Sequence, residues 1–211
     1  LARVTGDRKQ GFINAKDLVW SIIAAGLNNR VLPELHVEEP WTPVDTISDF
    51  IVQHSLSRPG NDVFNVTPEN NIAVMDIFGW LQSLSFDFEL VSLKAWCQTL
   101  EREGSEQDKT ILSFFTRTDN SHDASAGDDS ASDTNRVIAM AFEDSRYQSA
   151  SEALGVTLPA ITRELFSLYL EYGTTHQLIP TPIIPLQKQL PAFISADELP
   201  TAEDHMETIN E

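Results

Sequence analysis

Five histidines, one cysteine and three tyrosines are the side chains through which this sequence could move protons, attack a substrate or hold a metal. His36, His54, His122, His176 and His205 show no metal-ligand spacing, and Cys97 has no cysteine partner, so no metal centre is expected. Cys97 sits in the apolar run Leu93-Lys94-Ala95-Trp96-Cys97, where a small buried thiol is the ordinary outcome; a nucleophile would need a lowered pKa and a paired histidine, and none is near in sequence. His54 falls on the inward side of a helix pattern and reads as a packed residue. Acid pairs such as Glu38-Glu39 and Asp128-Asp129 read as solvated faces of an acidic chain rather than as general acid/base pairs. No Gly-x-Gly-x-x-Gly turn, P-loop, Gly-x-Ser-x-Gly elbow or His-Glu-x-x-His helix occurs. No catalytic residue is expected in this chain.

The overall composition narrows the partners. With 32 Asp and Glu against 14 Lys and Arg, the formal charge is -18, which repels phosphate backbones and anionic lipid and argues against nucleic acid or a membrane surface. No apolar run approaches the ~20 residues of a spanning helix. One cysteine cannot build an intrachain disulfide framework, which points to a reducing, cytoplasmic setting. The opening Leu1-Ala2-Arg3-Val4-Thr5-Gly6 reads as the middle of a strand, so the expectation is a fragment of a larger domain.

Helices and strands alternate along the chain, which predicts an α/β layered fold. The opening strand runs into a Thr5-Gly6-Asp7 turn closed by Gly11; Asn14 is the expected N-cap of a helix carrying Leu18, Val19, Ile22, Ile23 and Leu27, with Asn28-Asn29 as its stop. Residues 31–35 read as an extended connector. Pro43 bars helix before it and Asp45 is the expected cap of the next, with Ile47, Phe50, Ile51 and His54 as its inward stripe. Asp62-Val63-Phe64-Asn65-Val66 alternates as a strand; a helix follows near Asn71, then a strand over residues 86–91 and a helix over residues 93–102. Trp20, Trp41 and Trp80 read as core. Residues 118–135 hold no large apolar side chain and read as a disordered acidic loop. Order is expected again from Arg136-Val137-Ile138, with a glycine-ended helix before Gly155 and a last helix over residues 161–172. Residues 181–211 are Pro-rich and then acidic, and read as a tail.

The order of these motifs resembles one family. Val4-Thr5-Gly6-Asp7, Gly11-Phe12-Ile13-Asn14, Leu32-Pro33-Glu34-Leu35, Trp41-Thr42-Pro43-Val44-Asp45, Asp62-Val63-Phe64-Asn65-Val66-Thr67-Pro68 and Ser113-Phe114-Phe115 follow one another as in the carboxy-terminal half of thioester reductase domains. These are extended short-chain dehydrogenase/reductases that terminate nonribosomal peptide synthetases, polyketide synthases, carboxylic acid reductases and aminoadipate reductases. Gly155-Val156-Thr157-Leu158-Pro159 resembles the entry to their closing helix, in fungal members especially.

The resemblance implies an α/β chain made of the carboxy-terminal, substrate-binding part of that fold, with the amino-terminal Rossmann cofactor-binding half absent. It implies a substrate-binding part over residues 1–117, the acidic loop over 118–135, a closing helical part over 136–180 and the tail. The family's Tyr-x-x-x-Lys pair is missing: Tyr147, Tyr169 and Tyr172 are followed four residues later by Ser151, Gly173 and His176. The parent enzyme would use NADPH to release a carrier-bound acyl or peptidyl chain as an aldehyde or alcohol; this chain alone would not bind the cofactor tightly. Its partners would be a phosphopantetheinylated carrier-protein domain and the missing Rossmann half. Thr5, Gly6, Asp7, Phe12, Asn14 and Trp41 would line the substrate pocket, although Gly6 could equally serve only a tight turn and Asn14 only a cap. Two other readings stay open: a related acyl-CoA reductase or sugar-nucleotide enzyme, and a non-catalytic module that binds a carrier protein.

Overall fold

A computed structural model describes residues 3–57, 60, 62–116 and 145–189. Its strands are short and pair in parallel where the chain crosses over through a helix. Strand β1 (Arg3–Val4) runs parallel to β4 (Trp41–Thr42), with Arg3 opposite Trp41. Strand β2 (Val31–Pro33) runs parallel to β6 (Glu89–Val91), and β3 (Glu38–Glu39) pairs antiparallel with β5 (Ile72–Ala73). The fold is α/β but helix-rich, and among the described residues the strands form three two-stranded ladders set among the helices.

Helix α1 (Leu18–Asn29) follows β1, and its cap is Asp17, whose carboxylate accepts the Val19 N–H at 2.9 Å. Asn14, the expected cap, instead accepts the Lys16 N–H in a turn before the helix. The left-handed residue that ends α1 is Arg30 (φ 55°), one position past the expected Asn pair. That turn feeds the chain directly into β2, so the segment read as a connector is a strand. Helix α2 (Val44–Ser57) holds Asp45 in its first turn, where the negative charge suits the helix dipole although the residue is not the cap. Ile47 and Phe50 face inward, whereas Ile51 points to solvent. Residues 62–66 are not assigned to a strand; Val66 is buried in a side cluster.

Helix α3 (Val74–Ser83) leads through β6 to α4 (Leu93–Glu103), which is capped by the Ser92 hydroxyl and stopped at Gly104. An unforeseen helix, α5 (Glu106–Thr116), comes next. Ser105 Oγ accepts the Asp108 N–H at 3.2 Å while Asp108 accepts the Ser105 N–H at 2.9 Å, a reciprocal capping box. Helix α6 (Ser145–Leu154) ends at Gly155, and α7 (Arg163–Thr175) is capped by Thr162. Beyond it, Leu186 is buried, and Gln189 donates to the Leu84 carbonyl and pairs with Ser85, so the start of the Pro-rich segment is held against the end of α3. The acidic loop at 118–135, the apolar run after Arg136 and the end of the tail lie outside the described residues.

Two clusters form the interior. The main one gathers Trp20 and Ile23 of α1, Ile77, Phe78 and Leu81 of α3, Trp96 of α4 and Phe166 and Tyr169 of α7. A smaller one, between α2 and α6, holds Ile47, Phe50, Val66, Tyr147 and Val156. All three tryptophans read as core pack there, Trp80 only partly covered. Cys97 packs half-buried against the main cluster.

One charged group sits at the edge of that cluster. Arg3 bonds through Nε and Nη2 to Glu39 and through Nη1 to Asp17 at 3.2 Å, and Trp41 Nε1 donates to Glu39 at 3.2 Å. Burial by itself would lower the Arg3 pKa; the hydrogen bond to Glu39 and the charges of Glu39 and Asp17 outweigh it and hold it above its ordinary value. Removing one member of such a pair strands the other charge. Arg3→Met is therefore expected to lose about 3 kcal/mol in urea unfolding, and Arg3→Met combined with Glu39→Met to recover most of it. A loss below ~1 kcal/mol would place the pair among solvent-screened bridges.

Candidate functional site

The loop that leaves β1 is held from several sides. Thr5 continues the ladder, donating its N–H to the Thr42 carbonyl at 2.8 Å. The Gly6 carbonyl accepts from the Val44 N–H at 3.1 Å and from the Tyr169 hydroxyl at 3.2 Å. A Cβ at Gly6 would collide with the Phe12 carbonyl and the Tyr169 ring, so glycine is required by close approach. Asp7 then folds the loop on itself: its N–H reaches the Phe12 carbonyl at 3.0 Å, and its carboxylate accepts the Lys9 and Gln10 N–H groups. Gly11 (φ 71°) turns the chain back against the Leu168 backbone, where a side chain has no room. Arg8 clamps the outside, its Nε 2.7 Å from Asp45 of α2.

Four of the six expected pocket residues, Thr5, Gly6, Asp7 and Phe12, thus share one loop. Phe12 is half exposed (50 %) and meets Tyr172 edge-on, and Tyr172 stacks on His176. Asn14 lies just beyond, solvent-exposed in the turn before α1. Trp41 is separate. It is 2 % exposed, packs in a tilted cluster with Trp20 and Phe166, and borders a small cavity of about 180 Å³ with Trp80, Asp76 and Ile161.

The residue that sequence reasoning missed is Tyr169. Its hydroxyl lies 3.4 Å from Thr5 Oγ1 as well as on Gly6. Burial pushes its pKa up to about 12, with the Thr5 hydrogen bond opposing and nearby Asp45 and Asp7 adding to the rise. At neutral pH it is a fixed donor, not an acid or base. Its place on the inward stripe of α7 was readable, but its partner is 164 residues away in sequence. Elsewhere, an open cleft of about 860 Å³ between α2 and α6 is lined by His54, Asp62 and Arg146. His54 there stacks on Phe50, with Nε2 3.5 Å from Asp62, as a packed residue. Among the described residues no group of His, Cys, Asp or Glu is placed to hold a metal, and no helix is long and apolar enough to cross a membrane.

This helix-rich α/β arrangement of short ladders resembles the carboxy-terminal part of the reductase domains of nonribosomal peptide synthetases. The solved terminal R domain of the myxalamid PKS-NRPS pathway superposes on the chain with TM-score 0.68 at 20 % identity, over 85 % of this chain and 43 % of that one. The reductase domain of a Mycobacterium tuberculosis nonribosomal peptide synthetase matches with TM-score 0.59 at 12 % identity, over 83 % and 45 %. In sequence, the chain is 30 % identical over 188 residues to the isonitrile lipopeptide synthase of Streptomyces coeruleorubidus, covering 86 % of this chain and 12 % of that protein. It is 22 % identical over 206 residues to the L-2-aminoadipate reductase large subunit of Penicillium chrysogenum, over 92 % and 14 %. No protein-family profile matches. The chain is thus a relative of the terminal reductase domains of peptide and polyketide synthases and of aminoadipate reductase. It spans under half of the solved reductase domains and 12–14 % of these two sequence relatives.

The Tyr169 lock has two measurable consequences. Tyr169→Phe is expected to cost about 1 kcal/mol, the ordinary worth of one buried hydrogen bond. A hydroxyl whose pKa is about 12 folded and near 10.0 unfolded keeps its proton longer in the native state. Stability should therefore fall as pH rises from 10 to 12, and Tyr169→Phe should flatten that fall in urea unfolding. Equal slopes in the two proteins would show that Tyr169 titrates as it does unfolded.

Proposed function

We propose that this chain is the substrate-binding portion of an NADPH-dependent thioester reductase, which releases a carrier-bound acyl or peptidyl chain as an aldehyde or alcohol. The observation that carries the reading is the 5–12 loop. Four expected pocket residues are held rigid there by Tyr169, Val44 and Arg8, and the aromatic face of Phe12 is left open. Similarity to the reductase domains named above supports it. A thiolation-reductase didomain of an archaeal nonribosomal peptide synthetase, which matches with TM-score 0.56 at 14 % identity over 82 % of this chain and 34 % of that one, supports a carrier partner.

The residues present do not fit a dinucleotide. The turn after β1 already commits its Lys9 and Gln10 N–H groups to the Asp7 carboxylate, and that negative charge would repel a pyrophosphate. NADPH and the hydride step accordingly belong to the rest of the parent enzyme, and this chain's residues bind and orient. Thr5, Gly6 and Asp7 shape the turn, Phe12 offers apolar contact to the pantetheine arm or acyl chain, and Asn14 lies beside it, whereas Trp41 is packed in the core and supports the β1–β4 ladder from behind. A Rossmann half and a phosphopantetheinylated carrier-protein domain are the partners this reading requires.

A carrier domain bearing an acylated phosphopantetheine should bind the chain, and Phe12→Ala should weaken that binding roughly tenfold, as expected for an exposed aromatic anchor. Carrier without its arm should bind more weakly. Equal affinity for armed and unarmed carrier would overturn pocket recognition and leave a carrier-interaction module. Binding of an acyl-CoA as tight as that of the armed carrier would favour the acyl-CoA reductase reading. A coding sequence upstream of Leu1 without a Tyr-x-x-x-Lys helix and a Gly-rich βα turn would sink the reductase.

A further inference from the structure

Arg3 also lines a separate cavity. Helices α1, α3, α4 and α5 enclose an apolar cleft of about 240 Å³. Its lining is mostly branched aliphatic, with Leu18, Ile22, Val37 and Ile77 among the walls and Phe115 beside them. Val37 is only half covered and Phe114 is exposed, so this rim opens to solvent. Among the described residues, Arg3 and Glu39 are the only charged side chains in the lining.

Those two side chains define which head group can enter. Arg3 makes four contacts to the oxygens of Glu39 and Asp17, against the five N–H donors of a guanidinium. At least one donor is left for a further acceptor. The three side chains together carry one positive and two negative charges, so a carboxylate entering beside them meets a net negative field. An ammonium head could not accept from Arg3 at all. What satisfies both conditions is an uncharged acceptor such as a hydroxyl, ester, amide or thioester. The volume of about 240 Å³ is well above the roughly 150 Å³ at which an apolar cavity takes up a small hydrocarbon, which leaves room for a longer, flexible chain.

The geometry points to this cleft as a binding site for a medium-length alkyl or acyl chain with an uncharged, hydrogen-bond-accepting head group. The assignment rests on the cleft alone and goes beyond the loop-based reading of substrate recognition.

The test is calorimetric titration of the full-length chain with octan-1-ol and with octanoate at neutral pH, alongside decan-1-ol. Octanol should bind saturably with a stoichiometry of one, and octanoate roughly tenfold more weakly because its charge would be desolvated beside two carboxylates. Val37→Phe narrows the rim and should lower octanol affinity roughly tenfold, while Leu18→Ala lengthens the cleft and should shift the preference from octanol to decanol. Equal binding of octanol and octanoate would overturn the site, as would an unchanged chain-length preference in Leu18→Ala. Absence of saturable binding would mean that another segment or a partner fills the cleft, and would overturn it as well. If Val37→Phe does not fold, the octanol-to-octanoate ratio and Leu18→Ala decide. Carrier binding through Phe12 is read separately, so either proposal can fail without the other.

Discussion

A guanidinium taken out of water must find carboxylates, and in this chain that requirement fixes where four elements meet. Arg3 of β1 is held by Asp17 at the start of α1 and by Glu39 of β3, and Glu39 also receives the indole N–H of Trp41 in β4. None of these bonds can form unless the first strand, the first helix and the following ladders are already in place. Asp17 serves twice, accepting from Arg3 and from the Val19 N–H. Hydrophobic burial is indifferent to rotation and register, but this network is not, so it specifies the arrangement that the aromatic cluster behind it stabilises.

The opposite end of the same strand is fixed by neutral hydrogen bonds. Tyr169 and Val44 converge on one carbonyl, that of Gly6, and tie α7 and α2 to the loop. Between the two locks the described part of β1 is short, with the Arg3 and Thr5 N–H groups bonded to the Pro40 and Thr42 carbonyls. The contacts at its two ends add to the hold of that ladder. A short strand with such anchoring gives a firmly held loop, and Phe12 is carried on it half exposed.

This explains which parts were legible in the sequence. The inward faces of α1, α3 and α7 follow from apolar spacing because those helices bury a whole stripe. Asn14 and Asp17 both have cap chemistry and lie three residues apart. Only the tertiary demand of Arg3 for a carboxylate selects Asp17, and that demand has no local signal. Strands of two or three residues carry too little alternation to recognise, so residues 31–33 were hidden; the alternation at 62–66 arises because Val66 fills the smaller cluster beside Tyr147. Helix α5 does have a local signature in Ser105-Glu106-Gln107-Asp108, whose end residues form the capping box. For the site, Thr5, Gly6, Asp7 and Phe12 were legible together because they are contiguous. Trp41 is a neighbour of that loop through the β1–β4 ladder, yet its ring faces the core.

The electrostatics also separate binding from chemistry. A tyrosine can serve as a general acid near neutral pH only if its environment favours the phenolate, and Tyr169 sits where burial and the Asp45 and Asp7 charges do the reverse. The carboxylate nearest the loop, Asp7, is occupied by backbone N–H groups, and Asp45 by Arg8. The side chains of Asp7, Arg8, Asp45 and Tyr169 are thus committed to holding the loop's shape. On the proposed reading, a surface built this way selects and orients an acyl chain, and the proton and hydride come from groups on another part of the parent enzyme. That reading makes close apposition of that part to the 5–12 loop a geometric requirement. It also gives a reason for the loop to be rigid: a flexible one would spend binding energy on its own ordering instead of on positioning a bound chain.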